Sequence, residues 1–427
     1  MVAPDEVNAL LNRLVSNAEH VEREEELLER LGSGKKLRVK LGVDPTARDI
    51  TLGWAVPLRK LRQFQDEGHT AVLIVGDFTA RIGDPSGKSD TRPQLTAEQV
   101  QANAEACLTQ LMDILSEDNL EVRHNSEWLA RLDLTGILRL TSSITVAQML
   151  ERDDFSKRYA EQRPISMVEF MYPVMQAYDS VAVEADVELG GTDQLFNLLV
   201  GRDLQRAHGQ PPQIALTMPL LVGLDGVQKM SQSLGNYVSI REAPEEMFGK
   251  LMSIPDHLLS QYARLATDLD EQAVKEIDDA SQEGGPGAAR AKRRLAGEVI
   301  SLYHGPQAAE RAEADFDRKF KEGKAPESVQ EADIPPGAVD GDRVYLPRVL
   351  AELGLAKSGS EAKRLIAQGG VRVNGEPVSS EEIGLDALSE ALLQVGKRRF
   401  IRLTSGDPSG AMASTASEMK RQRRPNP

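Results

Sequence analysis

The stretch Ala71-Val72-Leu73-Ile74-Val75-Gly76 is a continuous apolar run that ends in a glycine. A run of this length and composition indicates a strand buried on both faces, as in parallel sheets covered by helices. Segments with helical spacing separate it from four further strand candidates, at residues 37–43, 120–123, 186–189 and 213–216. This alternation predicts an α/β fold with a parallel sheet, whose ligands bind at the carboxyl ends of the strands.

The remaining segments have other patterns. Near the start, apolar residues recur at helical spacing, and after residue 244 the strand patterns give way to a composition rich in Ala, Glu, Leu, Arg and Lys. A polar stretch with several Pro and Gly residues follows, and then a unit with a helix start at Ser358 and an Asn374-Gly375 hairpin turn. The predicted parts are an N-terminal helical segment (1–35), the parallel-sheet domain (36–243), an α-helical domain (244–325), a linker (326–342), a small α+β unit (343–405) and a disordered tail (406–427).

The composition limits the class of protein. At 427 residues, 40% of them apolar, the chain can form two or three domains with a substantial core. The single cysteine, Cys107, excludes an internal disulfide bond and a cysteine-rich metal site, and no protein metal ligands are predicted. No apolar run reaches membrane-spanning length, and the first residues lack a basic segment followed by an apolar one. We therefore expect a cytoplasmic protein that does not contact membranes.

Charge is unevenly distributed along the chain. The net charge is −15, yet residues 341–427 contain 14 Lys and Arg against 10 Asp and Glu. The carboxyl-terminal part is therefore positive while the remainder is strongly negative, which favours a polyanionic partner for the former. The last nine residues are also basic, and they fit either a solubilising tail or a weak contact with RNA phosphates.

The two commonest nucleotide-binding motifs are absent from the sequence. The segment Gly83-Asp84-Pro85-Ser86-Gly87-Lys88-Ser89 lacks the first glycine of a P-loop, because Ile82 occupies that position. No GxGxxG sequence follows a predicted strand either, so phosphates must be bound in another way. Asp44-Pro45-Thr46 joins a strand to a helix whose first N–H groups suit an anion, although an ordinary turn could have the same sequence.

Three later segments place polar residues together. Tyr172, Gln176 and Asp179 are four and three residues apart and share one face of a helix, either in a ligand pocket or on the surface. Gly190-Gly191-Thr192-Asp193-Gln194 ends a strand and opens a helix, where an Asp can accept hydrogen bonds from ribose hydroxyls. Lys229-Met230-Ser231-Gln232-Ser233 is small, polar and cationic, which fits a phosphate-closing loop or an exposed hairpin tip.

Taken in this order, the motifs make the chain similar to bacterial tyrosyl-tRNA synthetases over roughly residues 5–405, with an S4-like RNA-binding domain at the carboxyl end. The ordered series is more specific than any single element. The resemblance implies a class I fold with a Rossmann-like catalytic domain. It further implies L-tyrosine, ATP with Mg²⁺ and tRNA(Tyr) as substrates, and a homodimer.

The resemblance also implies roles for individual residues. Those expected to bind tyrosine are Asp84, Tyr172 and Gln176 at the ammonium, Asp179 at the phenol and Gln194 at the carboxyl group. Those expected to bind ATP are Gly42, Asp44, Thr51, Gly53, Trp54, Gly191, Asp193, Lys229 and Met230. Those expected to act in catalysis at the phosphates are Thr46, Lys88, Arg92, Lys229, Ser231 and Ser233. Those expected to contact RNA in the S4-like unit are Lys363, Arg364 and Arg372.

The chain departs from the family pattern in the phosphate motifs. The usual His-x-Gly-His reads Thr51-Leu52-Gly53-Trp54, and Gln232 replaces a loop lysine. Lys40 occupies a position where one branch of the family has a tyrosine that helps to recognise the phenol of the substrate. We interpret this difference as branch variation. Thr51 can still donate one hydrogen bond to a phosphate, and the face of Trp54 can cover the adenine or ribose.

These departures leave three interpretations open. The first is an active tyrosine–tRNA ligase in which Thr46, Lys88, Arg92 and Lys229 compensate for the missing histidines. The second is a paralogue that adenylates tyrosine or an analogue for an acceptor other than tRNA. The third is a tyrosine- or RNA-binding protein without turnover. The complete amino-acid pocket and the basic carboxyl-terminal unit favour the first interpretation.

Overall fold

The computed structural model describes residues 3–85, 96–320, 329, 331–396 and 399–404. The chain forms two compact units, Met1–Ala309 and Glu310–Pro427. Within the described ranges, no helix combines the length and apolar character that crossing a bilayer requires.

A six-stranded sheet forms the centre of the first unit. Its strands are β1 (His20–Glu22), β2 (Arg38–Val43), β3 (Thr70–Val75), β4 (Leu120–His124), β5 (Val187–Gly191) and β6 (Ile214–Met218). They are ordered β1-β6-β5-β2-β3-β4, with β1 antiparallel to β6 and the other five parallel. The apolar run that ends at Val75 is buried in β3, as the sequence predicts. The predicted α/β fold and its five parallel strands are confirmed.

Helices connect the strands and form the rest of this unit. Those that precede β6 are α1 (Pro4–Val15), α2 (Glu24–Gly32), α3 (Leu52–Asp66), α4 (Ala97–Leu111), α5 (Ser126–Leu129), α6 (Leu134–Thr141), α7 (Val146–Met149), α8 (Asp153–Ala160), α9 (Met167–Ala182) and α10 (Leu195–Ala207). Those that follow it are α11 (Pro244–Met252), α12 (Leu259–Ala266), α13 (Glu271–Glu283) and α14 (Gly285–His304), while α15 (Pro306–Phe320) begins in this unit and continues into the second. Residues 244–320 contain no strand, as their composition predicts.

The N-terminal segment corrects one prediction from the sequence. Its periodicity predicts a helix over residues 5–32, but β1 separates α1 from α2. The strand pairs with β6, so that Val21 lies opposite Leu216 at the edge of the sheet. Arg23, with a φ of 67°, then turns the backbone into α2. Local periodicity cannot reveal this strand, because its backbone partner lies almost 200 residues away.

The carboxyl ends of β2, β3, β4 and β5 form one edge of the sheet. From β2 the chain moves outward to β3 and β4, and then returns to β5 on the other side of β2. Such a reversal opens a crevice at the strand ends, where parallel-sheet proteins bind their ligands. Asp44 directly follows β2, and the short 3₁₀ helix Thr192–Gln194 directly follows β5.

The second unit is a small α+β domain with its own apolar core. Its helices are α16 (Leu346–Glu352), α17 (Gly359–Ala367) and α18 (Leu385–Leu388). Its strands are β7 (Glu331–Asp333), β8 (Val339–Asp340), β9 (Arg343–Tyr345), β10 (Val371–Val373), β11 (Glu376–Pro377), β12 (Glu382–Gly384), β13 (Leu392–Val395) and β14 (Arg399–Thr404). Ser358 caps α17 by accepting from the Glu361 N–H, and β10 and β11 form the hairpin predicted at Asn374-Gly375.

The predicted linker, residues 326–342, is partly structured. In its described part, β7 pairs in parallel with β14 and β8 pairs antiparallel with β9, so both strands belong to the sheets of the second unit. The Thr404 hydroxyl donates to Asp333 Oδ1 at 2.5 Å across the first of these pairs. β7 is too short and polar to show a strand pattern, and its partner β14 follows about 70 residues later. The predicted tail, 406–427, lies outside the described residues.

Candidate active site

The residues predicted to bind tyrosine come from three elements at the carboxyl edge of the sheet. Asp84 lies in the segment after β3, Gln194 in the 3₁₀ helix after β5, and Tyr172, Gln176 and Asp179 on α9. Ser166 caps α9 and, with Glu169, forms a capping box that fixes where this helix begins. The structure joins the five side chains into two hydrogen-bond networks.

The first network surrounds Asp44 at the end of β2. Its carboxylate accepts from the Tyr172 hydroxyl at 2.9 Å and from the Thr79 hydroxyl at 2.7 Å. A side chain at Gly76 would place its Cβ 2.0 Å from Asp44 Oδ1, so only glycine fits beside this carboxylate. Desolvation outweighs these two hydrogen bonds and raises the pKa of Asp44 to about 7. Tyr172 is predicted to bind the tyrosine ammonium and Asp44 to bind ATP. The structure joins these two side chains directly by a hydrogen bond.

The same network continues to Asp179, whose side chain is 3% exposed. Trp128 Nε1 donates to Asp179 Oδ1 at 2.8 Å, and Asn125 Nδ2 donates to Oδ2 at 3.2 Å. Asn125 also donates to the Thr79 hydroxyl at 2.9 Å, which connects Asp179 with the Asp44 cluster. Burial raises the pKa of Asp179 to about 7, while these donors and the charge of Lys40 oppose that rise. The arrangement holds a buried carboxylate in a fixed orientation.

The second network contains the other three predicted residues. Gln194 Nε2 donates to Asp84 Oδ2 at 2.9 Å. Asn197 Nδ2 donates to Gln194 Oε1 at 3.0 Å and to Gln176 Oε1 at 2.9 Å. Arg152 donates to Asn197 Oδ1 at 3.1 Å and lies 3.4 Å from Asp84 Oδ1. Gln176 and Gln194 are half-buried, whereas Asn197 and Arg152 are buried behind them.

Lys40 forms a buried ion pair beneath the pocket. Its Nζ lies 2.8 Å from Glu188 Oε1 and also donates to the Ser180 hydroxyl at 2.7 Å and the Gln176 carbonyl at 3.0 Å. Glu188 Oε1 in turn accepts from the Gln176 side chain at 3.3 Å. An ammonium so enclosed is already coordinated, so the residue at the branch position supports the pocket wall from behind.

The predicted ATP-binding residues near β2 leave space for a ligand. Gly42 is exposed, and a Cβ at this position would have no neighbour within 4 Å. Thr46 is half-buried, and its N–H donates to the Asp44 carbonyl at 2.7 Å, which closes the turn after the strand. A glycine that the protein's own packing does not require suits the close approach of another molecule.

On the opposite side of the crevice, the predicted ribose and phosphate residues pair with each other. Lys229 Nζ lies 2.6 Å from Asp193 Oδ2, and both groups are partly exposed. Gly191 is required by packing here, since a Cβ would come within 2.7 Å of Leu220 Cδ2. The Ser231 and Ser233 hydroxyls are hydrogen-bonded to each other at 2.9 Å.

At the start of α3, the Thr51 side chain has a hydrogen-bond partner within the protein. Its hydroxyl accepts from the Trp54 N–H at 3.3 Å and caps the helix, and only 1% of the residue is exposed. The hydroxyl thus satisfies the end of the helix as an acceptor and keeps its own O–H as a donor, so its contact with a phosphate stays a prediction. Met230 covers Gly53, whose N–H lies 3.3 Å from the sulfur, and Gln232 donates to the Asp49 carbonyl. Trp54 is 37% exposed beside this contact.

Two predicted catalytic residues, Lys88 and Arg92, lie outside the described residues. In the second unit, Lys363 is paired with Glu381 at 3.1 Å and lies 5.6 Å from the ring centroid of Tyr345. Arg364 and Arg372 are exposed. The predicted RNA contacts thus include one cation that already has an acidic partner.

The site residues that were not predicted from the sequence include Thr79, Asn125, Trp128, Arg152 and Asn197. Asn125 had a usable signal, because it follows a predicted strand at the ligand-binding edge. Asn197 had one as well, since it stands one helical turn after Gln194. For Thr79, Trp128 and Arg152, only the tertiary structure shows the contact.

The chain matches two family models, "tRNA synthetases class I (W and Y)" over residues 33–321 and "S4 domain" over residues 346–383. The tyrosine–tRNA ligase of Moorella thermoacetica is 51% identical over 87% of this chain and 89% of its own. That of Thermotoga maritima is 48% identical over 95% and 99%. The solved structure of the Archaeoglobus fulgidus tyrosyl-tRNA synthetase complexed with L-tyrosine shares the fold, with a TM-score of 0.57 and 22% identity over 72% of this chain and 98% of that one. The chain therefore belongs to the tyrosine–tRNA ligases of the class I tRNA synthetase family.

Proposed function

We propose that this chain activates L-tyrosine with ATP to form tyrosyl-adenylate and transfers the tyrosyl group to tRNA(Tyr). The observation that carries this proposal is the buried carboxylate of Asp179, which Trp128 and Asn125 hold by hydrogen bonds. The second network, with Asp84, Gln176 and their amide partners, would form the other end of the amino-acid site. A site with an acceptor at each end fits an amino acid that carries an ammonium group and a phenol.

Recognition of the phenol would depend on Asp179. Two donors fix its carboxylate, which leaves it able to accept from the tyrosine hydroxyl. Phenylalanine would leave this buried carboxylate without that partner, and the cost of an unpaired buried group is the source of discrimination. The general example of this effect is itself a tyrosyl-tRNA synthetase, at about 10⁵-fold over phenylalanine.

The ammonium end would be formed by Asp84, Tyr172 and Gln176, with Gln194 near the carboxyl group. The cation would lie near two carboxylates, those of Asp84 and Asp44, and Asp44 is already bonded to Tyr172. An approaching ammonium favours the ionised form of Asp44, whose pKa of about 7 leaves it partly protonated in the free protein at neutral pH. The pocket thus becomes more negative as the ligand enters.

Adenylation requires no acid or base side chain, because the tyrosine carboxylate is the nucleophile at the α-phosphorus. The protein acts by positioning and by stabilising the charge that develops on the leaving pyrophosphate. ATP, entering with Mg²⁺, would approach Gly42 and the turn at Asp44, with the ribose at Gly191 and Asp193. Lys229 would leave Asp193 for the phosphates, which frees the carboxylate for the ribose hydroxyls.

The two missing histidines would be replaced by residues of other segments. Each lost donor costs about 2–3 kcal/mol of transition-state stabilisation unless compensated. Thr46 and Lys229 are placed at the crevice, while Lys88 and Arg92 are proposed to join them from the segment after Asp84. Trp54, 37% exposed at the start of α3, would cover the nucleotide.

A homodimer is proposed from an apolar surface of the first unit. Large apolar side chains are exposed on several neighbouring segments, and Leu134 and Leu138 follow one another on the same face of α6. Apolar groups in this number on one stretch of chain favour a protein partner. Between residues 134 and 167, the most exposed are Leu134, Leu138, Val146, Tyr159 and Met167.

The second unit would bind the tRNA. It contains the S4 domain, and Arg364 and Arg372 are exposed on α17 and β10 for contact with phosphates. Lys363 would exchange Glu381 for RNA. A cytoplasmic location is part of this proposal.

The test is tyrosine-dependent exchange of labelled pyrophosphate into ATP, followed by charging of tRNA(Tyr). We expect exchange with tyrosine and almost none with phenylalanine. Binding of tyrosine without exchange would contradict the activity, and exchange without tRNA charging would point to a different acceptor. The alternatives of a non-tRNA acceptor and of a protein without turnover gain no support from the relatives described above, which are named tyrosine–tRNA ligases.

A further inference from the structure

Arg152 and Asn197 lie behind the pocket, and neither belongs to the residues predicted to bind tyrosine. Arg152 is 5% exposed, and Asn197 is 1% exposed on the first turn of α10. The Arg152 guanidinium donates to Asn197 Oδ1 at 3.1 Å and stacks 5.2 Å from the centroid of the Phe155 ring. Its Nε lies 2.8 Å from Asp154 Oδ1, so the side chain is held from both ends.

An arginine can only donate hydrogen bonds, which decides the orientation of the amide beside it. Asn197 must present its oxygen to Arg152 and therefore directs its NH₂ group to the other side. There the NH₂ donates to Gln176 Oε1 at 2.9 Å and to Gln194 Oε1 at 3.0 Å. One buried amide thus contacts both glutamines through their oxygens.

Two carboxylates, those of Glu188 and Asp84, accept the last hydrogen bonds of this series. Gln176 Nε2 donates to Glu188 Oε1 at 3.3 Å, and Gln194 Nε2 donates to Asp84 Oδ2 at 2.9 Å. An ionised carboxylate only accepts, so both glutamines have their nitrogens toward an acidic residue and their oxygens toward Asn197. Donor and acceptor directions agree along all five hydrogen bonds. Reversing any one amide would oppose two like groups at both of its ends.

The directions suit the substrate proposed above. A carbonyl oxygen has two acceptor sites, and Asn197 uses one of those on Gln176. The second can accept from the tyrosine ammonium, which an inverted amide would meet with its own NH₂ group. The nitrogen of Gln194, on the side of Asp84, can face the substrate carboxyl group only in the observed direction.

We propose that Arg152 and Asn197 are positioning residues that set the direction of the Gln176 and Gln194 amides, so that the pocket accepts from the ammonium and donates to the carboxyl group of tyrosine. The proposal rests on the function given above. It predicts that the two residues act mainly in series: Arg152 determines the orientation of Asn197, which determines that of the glutamines, while the longer contact of Arg152 with Asp84 Oδ1, at 3.4 Å, adds a smaller direct effect.

The test compares Asn197→Leu, Arg152→Met and the double variant by pyrophosphate exchange. Each single substitution should raise the KM for tyrosine about tenfold, the scale of one hydrogen bond to a charged group, and change the KM for ATP less than twofold. Because the residues act in series, the double variant should fall well below the roughly 100-fold product. Arg152→Lys keeps a donor and should remain within about threefold of the wild type.

Gln205→Leu is the matched control, since Gln205 is a buried amide two turns further along α10 that bonds only to backbone groups. It should lower the thermal unfolding midpoint as much as Asn197→Leu does, without changing the KM for tyrosine. Multiplicative single effects, an unchanged KM for tyrosine, or parallel losses for tyrosine and ATP would overturn the proposal. Absence of exchange by the wild type would instead reject the proposed function itself.

Discussion

Replacing Trp128 by phenylalanine should shift the pH dependence of tyrosine binding to higher pH. The indole Nε1 donates to Asp179 Oδ1 at 2.8 Å, and this contact lowers the pKa of a carboxyl group that burial has raised to about 7. A hydrogen bond to a charged group contributes about 1.5–3 kcal/mol, and one pKa unit corresponds to about 1.4 kcal/mol. The variant should therefore have an Asp179 pKa of about 8–9. The ring face that Arg123 stacks against is kept.

The direction of the pH effect on the KM for tyrosine depends on which protonation state of Asp179 binds the phenol. Ionised Asp179 accepts a charge-assisted hydrogen bond from the tyrosine hydroxyl, so the KM for tyrosine should rise as the pH falls through the pKa of Asp179. The midpoint of this rise should lie near pH 7 in the wild type, given the pKa of about 7, and one to two pH units higher, at roughly pH 8–9, in Trp128→Phe.

The assay is pyrophosphate exchange at varied tyrosine concentration from about pH 5.5 to about pH 9.5, a range that brackets both expected midpoints. Trp54→Phe is the matched control, because it removes the other tryptophan of the chain, which is exposed at the start of α3. It should leave the tyrosine midpoint unchanged, whatever it does to the KM for ATP. An unchanged or lowered midpoint in Trp128→Phe would refute the reasoning that the indole N–H favours the ionised carboxylate.

Three further outcomes are expected. Asp179→Ala should reduce the preference for tyrosine over phenylalanine by several orders of magnitude in pyrophosphate exchange, and an unaltered preference would remove Asp179 from phenol recognition. Lys229→Ala should lower the adenylation rate about 100-fold while the KM for tyrosine changes little, because Lys229 pairs with Asp193 outside the tyrosine pocket; a pure loss of tyrosine affinity would contradict this. Removal of residues 329–427 should spare exchange and abolish tRNA charging, whereas a cut at residue 343 would leave β7 without its partner strand; charging by the shorter chain would exclude the second unit from RNA binding.

Much of the fold could be read from short stretches of the chain. The buried strand at Ala71, the strand after Lys36 and the helix with Tyr172 and Asp179 on one face all depend on local periodicity, and the structure has them. Periodicity failed for β1 and β7, because each is three residues long and is stabilised by a distant strand. Backbone pairing of this kind leaves no trace in the amino-acid pattern of the strand itself.

For the active site as well, some features were predicted from the sequence and others are seen only in the structure. The order of the motifs predicts Asp84, Tyr172, Gln176, Asp179 and Gln194 as tyrosine-binding residues, and the structure includes them in two hydrogen-bond networks at one edge of the sheet. The directions of their hydrogen bonds and the pKa values of their carboxyl groups could not be predicted from the sequence, because both depend on neighbours from other elements. Thr51 is an example of a contact that only the structure shows. Its hydroxyl, which is expected to bind a phosphate, accepts from the Trp54 N–H and caps α3.

The sequence by itself determined the sheet, the series of motifs and hence the family, because strand and helix periods and ordered motifs are properties of consecutive residues. Only the tertiary structure decided how the site is tuned. Trp128 fixes Asp179 from α5, and Arg152 orients two glutamines through Asn197 on α10. Hydrogen-bond direction and desolvation arise between residues that are far apart in the chain, and folding alone brings them within about 3 Å, the usual hydrogen-bond distance.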